Sequence, residues 1–389
     1  MKPHARRPKP RGHWTARLAR RIGALALGCV LAAGLLELMV LGFLGEQPKF
    51  PRHVVSAPWG LRYNHPGAVY RHKSADMTTW FRINSQGMRA DRDFPREKPA
   101  GVTRIVTIGD SFTVGYEVDT EQTFSSVLES RLRGAGHNVE VLNAGVSGFS
   151  TAEECLYLER ELLKYMPDVV IISFCSNDHK DNVRAGLFAL RDGQLVGGEG
   201  SYVPAGGLGD FLNRNWLANV LSERSNAFAA MKEAATRVAK RSMNERGAAA
   251  VGVTEAGDDA SRRLTAAIYE RLYGVCKERK IPLVISSIAA RRAKPDPKLD
   301  EAFPLDCFDI SREGLAFVST RDLLQPHMET RQVFWDRSHG HWTPFAHDLV
   351  GRELADVIMS RGLLPPAPSP GTSSAPTPPT ESDRNAEGG

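Results

Sequence analysis

The first 36 residues carry no acidic side chain, and this absence decides how the charge of the chain is read. The net charge is +5, from 50 Lys and Arg against 45 Asp and Glu. Taken whole, that balance invites a nucleic-acid reading. Yet eight basic residues (Lys2, Arg6, Arg7, Lys9, Arg11, Arg17, Arg20 and Arg21) precede the first acidic one, Glu37. Without those eight, 42 basic residues face 45 acidic ones. The basic character belongs to an N-terminal arm, and the main domain is mildly acidic, which argues against a nucleic-acid partner. Cysteine is scarce and unpatterned. Cys29, Cys155, Cys175, Cys276 and Cys307 show no CxxC spacing, so a zinc site is not expected. An exported domain permits disulfides, but this spacing identifies no pair. The segment Gly109-Asp110-Ser111-Phe112-Thr113-Val114-Gly115 has no lysine, which removes a P-loop nucleotide site. There is no internal repeat.

What is present begins with an apolar run from Ile22 to Leu44, broken only by Glu37. About 20 such residues span a bilayer as a helix. Basic residues before the run, with few just after it, place the N-terminus in the cytoplasm. A cleaved signal peptide is the rival reading, but its apolar core is usually about 7–15 residues with a small-residue site after it. This run is longer and no convincing site follows. Ala26-Leu27-Gly28-Cys29 faintly resembles a lipoprotein box, but the apolar run continues past Cys29. Glu37 is read as a protonated or partner-facing carboxyl in a single span, with a functional intramembrane carboxylate as the alternative. The expected order is a basic cytoplasmic arm (1–21), a transmembrane helix (22–44), a connecting segment (45–100), a main domain (101–362) with an insertion at about 179–260, and a tail (363–389). The tail is rich in Pro, Ser and Thr and is expected to be disordered.

Within the main domain, strands are expected at 104–108, 139–143, 168–174, 282–288 and 314–318, each short and apolar. Helices are expected between them, at about 120–134, 151–165 and 261–280, and a last one opens at Thr343-Pro344. Ser150-Thr151-Ala152-Glu153 has the capping-box pattern. Residues 80–84 read as a strand running into a turn. The insertion is read as a hairpin around Arg191-Asp192-Gly193, Gly-rich segments around Tyr202, a helix over 209–240 and a loop over 247–257. Such alternation implies an α/β three-layer sandwich on a mostly parallel sheet. Ligands in these folds sit at the carboxyl ends of the strands.

Polar segments with chemical potential lie there. Gly109-Asp110-Ser111 turns the chain sharply and presents a serine near a helix start. Asn143-Ala144-Gly145-Val146-Ser147-Gly148 brings backbone N–H groups close to any substrate oxygen. Cys175-Ser176-Asn177-Asp178 ends a hydrophobic strand with an amide that can donate to an oxyanion. Asp336-Arg337-Ser338-His339-Gly340-His341-Trp342-Thr343 offers a general base with an acid to orient it. Alone, each segment is equally an ordinary cap or turn.

Together the four segments resemble the SGNH (GDSL) hydrolase family, over roughly residues 100–360. The resemblance implies a flavodoxin-like fold and serine-dependent hydrolysis of an acyl ester, with no metal or organic cofactor. It implies Ser111 as nucleophile, Gly148 (with Gly145 as fallback) and Asn177 as oxyanion donors, and Cys175 where a glycine is usual. Asp336-x-x-His339 satisfies the family's acid–base pattern literally. The position two before the cap Thr343 favours His341 as base, with His339 as the alternative. Asp336 is then the orienting acid across a longer loop, or a backbone carbonyl takes that part. The segments Asn84-Ser85-Gln86-Gly87-Met88-Arg89 and Asn177-Asp178-His179-Lys180-Asp181-Asn182 resemble a membrane-anchored, bacterial-type subgroup. That implies a single-pass inner-membrane protein with a periplasmic or other extracytoplasmic catalytic domain, acting on a small-molecule or glycan ester. Transfer of an acyl group on an envelope glycan, or its removal, and a non-catalytic glycan-binding or scaffold role, are the competing readings.

Overall fold

The structure is a computed structural model that describes residues 12–51, 54–198, 211, 213–250, 258–292 and 296–365. The basic arm before residue 12, the segment around Tyr202 and the chain after 365 lie outside the described residues.

Five strands form the central sheet: β1 (Thr103–Ile108), β2 (Val139–Asn143), β3 (Val169–Cys175), β4 (Leu283–Ile288) and β5 (Leu315–Ser319). Their spatial order is β2-β1-β3-β4-β5, and every pairing is parallel. The chain leaves β1 toward β2 on one side and reaches β3 on the other, so a topological switch point lies at the carboxyl end of β1. Successive strand residues face opposite sides of a sheet. Accordingly Ile105 and Ile171 join one apolar cluster, while Val106 and Ile172 join the other. Every residue of β3 is buried, as its continuous apolar run requires of a strand covered on both faces.

The covering helices follow from the same pattern. Beyond an N-terminal helix α1 (Gly12–Leu44) and the short α2 (Ser111–Val114) come α3 (Phe124–Gly134), α4 (Thr151–Arg160) and α5 (Asp178–Ala185). Then follow α6 (Trp216–Arg224), α7 (Asn226–Ala250), α8 (Asp258–Glu278), α9 (Thr320–Leu324) and α10 (Pro344–Ser360). Phe124, Leu128 and Leu132 of α3 pack with Val350, Leu354 and Ile358 of α10 on one face. Cys155 and Leu158 of α4 pack with Leu264, Ile268 and Leu272 of α8 on the other. The capping box at Ser150 forms as expected, with Glu153 reaching back to the Ser150 N–H at 3.1 Å. The chain is thus a three-layer α/β sandwich. The five cysteines are unpaired.

Two expectations need correction. Among the described residues, the insertion carries α6 and α7, separated at Ser225, in place of one unbroken helix over 209–240. Residues 247–250, expected in a loop, continue α7, since Ala248–Ala250 have high helix propensity. The connecting segment is also more than a link. It folds as two hairpins, Val54–Ser56 with Arg62–Asn64 and Val69–Lys73 with Thr78–Arg82. Leu61, Met88 and Phe94 enter the main core.

Near the sheet's carboxyl edge the carboxyl groups of Asp110, Glu154 and Asp178 are buried within reach of one another's charge. Neither Glu154 oxygen has a hydrogen-bond partner. Burial, then the charges of Asp178 and Asp110, raise its pKa well above the ordinary range. A carboxyl raised in the folded state favours folding at low pH and loses that advantage as the unfolded chain ionises. Glu154→Gln removes the penalty. The melting temperature of Glu154→Gln relative to the native chain should therefore rise between pH 4 and pH 8, by roughly 2–4 °C for each unit of raised pKa. Scanning calorimetry across that range checks it; a difference independent of pH would contradict the burial argument.

Candidate active site

The carboxyl ends of β1, β2 and β3 deliver three of the four segments to one cavity. Its volume is about 370 Å³, and Ser111, Gly148, Asn177, His339 and His341 all line it. The fourth segment arrives from the loop before α10.

At the end of β1, Gly109 lies so close to Thr113 that an added Cβ would meet its Oγ1 at 2.0 Å. A glycine there lets the chain fold tightly into α2. Asp110 caps that helix by accepting the Phe112 N–H at 2.9 Å. Burial pushes the Asp110 pKa up to about 6, opposed by this hydrogen bond. Ser111 then opens the helix, facing the cavity.

The two glycines of the second segment have different tasks. The Gly145 N–H is taken by Asn143 Oδ1 at 3.1 Å. A Cβ on Gly145 would meet the Val114 nitrogen at 2.3 Å, so this glycine permits close packing on α2. Gly148 lines the cavity at φ +74°, a backbone state that suits glycine. Arg62, from the first hairpin, donates to the Gly148 carbonyl while pairing with Glu153 at 2.8 Å. Asn177 precedes α5, and its Nδ2 donates to Asp181 at 2.9 Å. An amide nitrogen carries two hydrogens, so the second is able to serve a substrate oxygen.

His341 Nε2 lies 2.8 Å from Ser111 Oγ. The loop that carries His341 closes on itself: Phe334 bridges Trp342, and the Trp335 N–H donates to the His341 carbonyl at 2.9 Å. His339 points elsewhere, with Nδ1 at 3.3 Å from Glu117 Oε1. Of the two candidate bases, the geometry brings His341 to the serine.

Asp336 is not brought to either histidine in this way. The Phe334–Trp342 bridge pins the loop's base, which leaves Asp336 toward its tip. There the half-exposed carboxylate pairs with Arg291 at 2.8 Å. The carboxylate beside the imidazole belongs instead to Glu117, which sequence reasoning missed. Glu117 Oε2 stands 3.5 Å from His341 Nδ1. That is longer than a formed hydrogen bond, and neither atom has another hydrogen-bond partner. Such contacts in unliganded sites tighten when substrate binds.

Glu117 is held from all sides. Its side chain is fully buried. Oε1 accepts the His339 backbone N–H at 3.2 Å and lies 3.5 Å from His72 Nε2. Burial alone would raise its pKa; the close polar contacts of His339, His341 and His72 overcome this and hold it well below the ordinary range. Burial lowers the His72 pKa to about 4, with Glu117 opposing. Glu117 adopts φ +70°, a state that costs a non-glycine residue roughly 1–3 kcal/mol. The surrounding chain enforces it. Arg89 is buried on the face of Phe81, 3.7 Å from the ring centre, and donates to the carbonyls of Val114, Gly115 and Val118. Trp335 Nε1 donates to the Glu117 carbonyl at 3.1 Å. The segment ending at Arg89 thus shapes the loop that aims Glu117. Ligand atoms of His72, Glu117 and His339 lie within 4.8 Å of one another, and within this cluster Glu117 Oε1 accepts the His339 N–H.

With this geometry in view, residues 107–349 match the GDSL-like Lipase/Acylhydrolase family. The chain is 32% identical over 75 residues to an arylesterase of Vibrio mimicus, covering 19% of this chain and 38% of that protein. It is 30% identical over 79 residues to esterase TesA of Pseudomonas aeruginosa, covering 20% and 39%. The chain thus spans about two fifths of the length of these curated relatives. Among solved structures, a lipase/acylhydrolase from Enterococcus faecalis is similar at 17% identity, with a TM-score of 0.37 over 69% of this chain and all of that one.

If Glu117 orients the imidazole, Glu117→Gln lowers kcat on a short-chain nitrophenyl ester by about 10²–10⁴, while Asp336→Asn stays within about twofold. Steady-state kinetics of the two variants separate these assignments. The reverse ranking would return the role to Asp336.

Proposed function

The chain belongs to the GDSL-like lipase/acylhydrolase family, and on that premise we propose that it hydrolyses carboxylic acyl esters with Ser111 as nucleophile. The observation that carries this reading is the 2.8 Å contact between His341 Nε2 and Ser111 Oγ. His341 takes the hydroxyl proton as Oγ attacks the ester carbonyl. Glu117, kept ionised by its imidazole neighbours, stabilises the imidazolium that forms. The tetrahedral oxyanion is met by the backbone N–H groups of Ser111 and Gly148 and by Asn177 Nδ2. Collapse expels the alcohol, which takes its proton from His341. Water, activated by the same imidazole, then attacks the acyl-serine, and the carboxylic acid leaves. Esterase relatives at low identity support the reaction class.

The protein works, on this reading, from a retained membrane anchor with its catalytic domain outside the cytoplasm. The helix Trp14–Leu44 is long and apolar enough to cross a bilayer. What favours an anchor over a cleaved leader is Glu37. Its carboxylate accepts the backbone N–H groups of Asn226 (2.6 Å) and Ala227 (3.0 Å), and the Ser225 hydroxyl (2.8 Å). It therefore caps the start of α7, which a removed leader cannot do.

Ser111→Ala should abolish ester hydrolysis and labelling by a fluorophosphonate probe while leaving the circular dichroism spectrum unchanged. Retained turnover in that variant would sink the nucleophile assignment. Asn177→Ala should lower kcat by about 10²–10³ with little change in KM, since an oxyanion donor acts mainly on the transition state. A loss confined to KM would instead make Asn177 a substrate-binding residue.

A further inference from the structure

The capping contact of Glu37 ties the insertion directly to α1, the helix read above as the membrane span. Glu37 lies seven residues before Leu44, the last residue of α1. At 1.5 Å per residue this is about 10 Å inside the end of the span. Ser225, Asn226 and Ala227, which Glu37 holds, therefore lie beside the C-terminal end of α1, where the Gln47 N–H and Lys49 Nζ also donate to Asn226 Oδ1. These three residues form the corner between α6 and α7.

The surfaces on either side of that corner suit such a position. On α6, Ala218 and Ser222 face inward, while Trp216, Leu217, Val220 and Leu221 are exposed. These four lie at the i, i+1, i+4, i+5 spacing of one helix face. Trp216 is 72% exposed, and tryptophan favours the membrane–water boundary. On α7, Met231, Ala234, Ala235 and Val238 make a second exposed apolar stripe, with Val238 72% exposed. Exposed apolar faces of this kind mark an interaction site, and α7, which carries one of them, packs beside the apolar α1.

The opposite face of α7 is polar and lines the catalytic cavity through Lys232, Thr236 and Arg237. Gln47, Pro48 and Phe50, just beyond α1, line it as well. Lys232 donates to the Phe50 carbonyl at 2.9 Å, tying the two walls. A single helix therefore separates the cavity from the level of the bilayer.

We propose that α6 and the apolar stripe of α7 seat in the bilayer leaflet at the C-terminal end of α1, and that the ester reaching Ser111 is carried by a membrane-lodged amphiphile. This rests on the anchor and serine readings above and adds the substrate's source. Burial of the stripe brings the mouth of the cavity to the headgroup layer. The scissile ester enters there while its chain stays in the lipid.

The test uses the full-length protein in nanodiscs of phosphatidylcholine and phosphatidylglycerol. Trp216 emission, taken as native chain minus Trp216→Phe, should be quenched by brominated lipid. An unquenched Trp216 overturns the docking whether or not any ester is cleaved, so it is distinguishable from failure of Ser111. The combined Trp216→Gln, Leu217→Gln and Leu221→Gln variant should lose about tenfold or more on nitrophenyl palmitate dissolved in the disc, and stay within about twofold on soluble nitrophenyl acetate. Equal rates with both esters relative to the native chain would overturn the substrate claim. Self-association through the stripe without lipid quenching would make it an interface between copies, and would equally overturn the proposal.

Discussion

The geometry proposed for catalysis depends on one buried carboxylate. Glu117 has no exposed side-chain surface and three imidazoles around it. An isolated charge at that depth is untenable in a protein interior. The histidines make it tenable, and in return the carboxylate orients them. His341 faces the serine on one side and Glu117 on the other, while His339 and His72 complete the enclosure. Removing the charge would loosen several contacts at once, because each imidazole is positioned by the same two oxygens.

The positive φ of Glu117 shows where the stabilisation comes from. A residue in that state is strained unless its neighbours over-determine it. Arg89 holds carbonyls on both sides of Glu117, and Trp335 holds the carbonyl of Glu117 itself. Arg89 is itself buried deeply enough to lower its pKa to about 10. Its donors are matched by carbonyl acceptors of a tight turn, an arrangement that a lysine with its single nitrogen cannot reproduce. The hairpins before β1 are thus part of the active site's framework, though they lie outside the α/β sandwich.

The sandwich was legible in the sequence because its signal is local. Five apolar strands, each bounded by turn residues, gave the sheet, and the serine, glycine and asparagine segments fell at strand ends where the fold places ligands. Glu117 was not legible for a related reason. It lies six residues after Ser111, in a turn, and nothing local distinguishes it from a surface glutamate. Its role arises only when the loop of residues 333–343 folds across it. Asp336 misled because its spacing to His339 satisfied a linear pattern, whereas the Phe334–Trp342 bridge turns its side chain toward Arg291. The connecting segment looked like a linker because its apolar residues are sparse and spread over two short hairpins. Leu61, Met88 and Phe94 reach the core singly, without a helical or alternating period to announce them.

The cavity's walls therefore have three origins with different consequences. The strand ends and the loop before α10 supply reacting groups, and their chemistry is shared by any ester that reaches Ser111. The segment before β1 supplies rigidity, through Arg62 of the first hairpin at Gly148 and Arg89, beyond the second, at the Glu117 turn. The remaining wall, from Gln47 to Phe50 and along α7, supplies no group that the acyl-transfer step requires. On the proposed mechanism, selection among esters falls mainly on that wall. It is also the part joined to α1 through Glu37, so whatever fixes α1 fixes the selective surface with it. On the proposed anchor reading, α1 does more than retain the enzyme: it sets the position of the wall that the substrate is proposed to meet first.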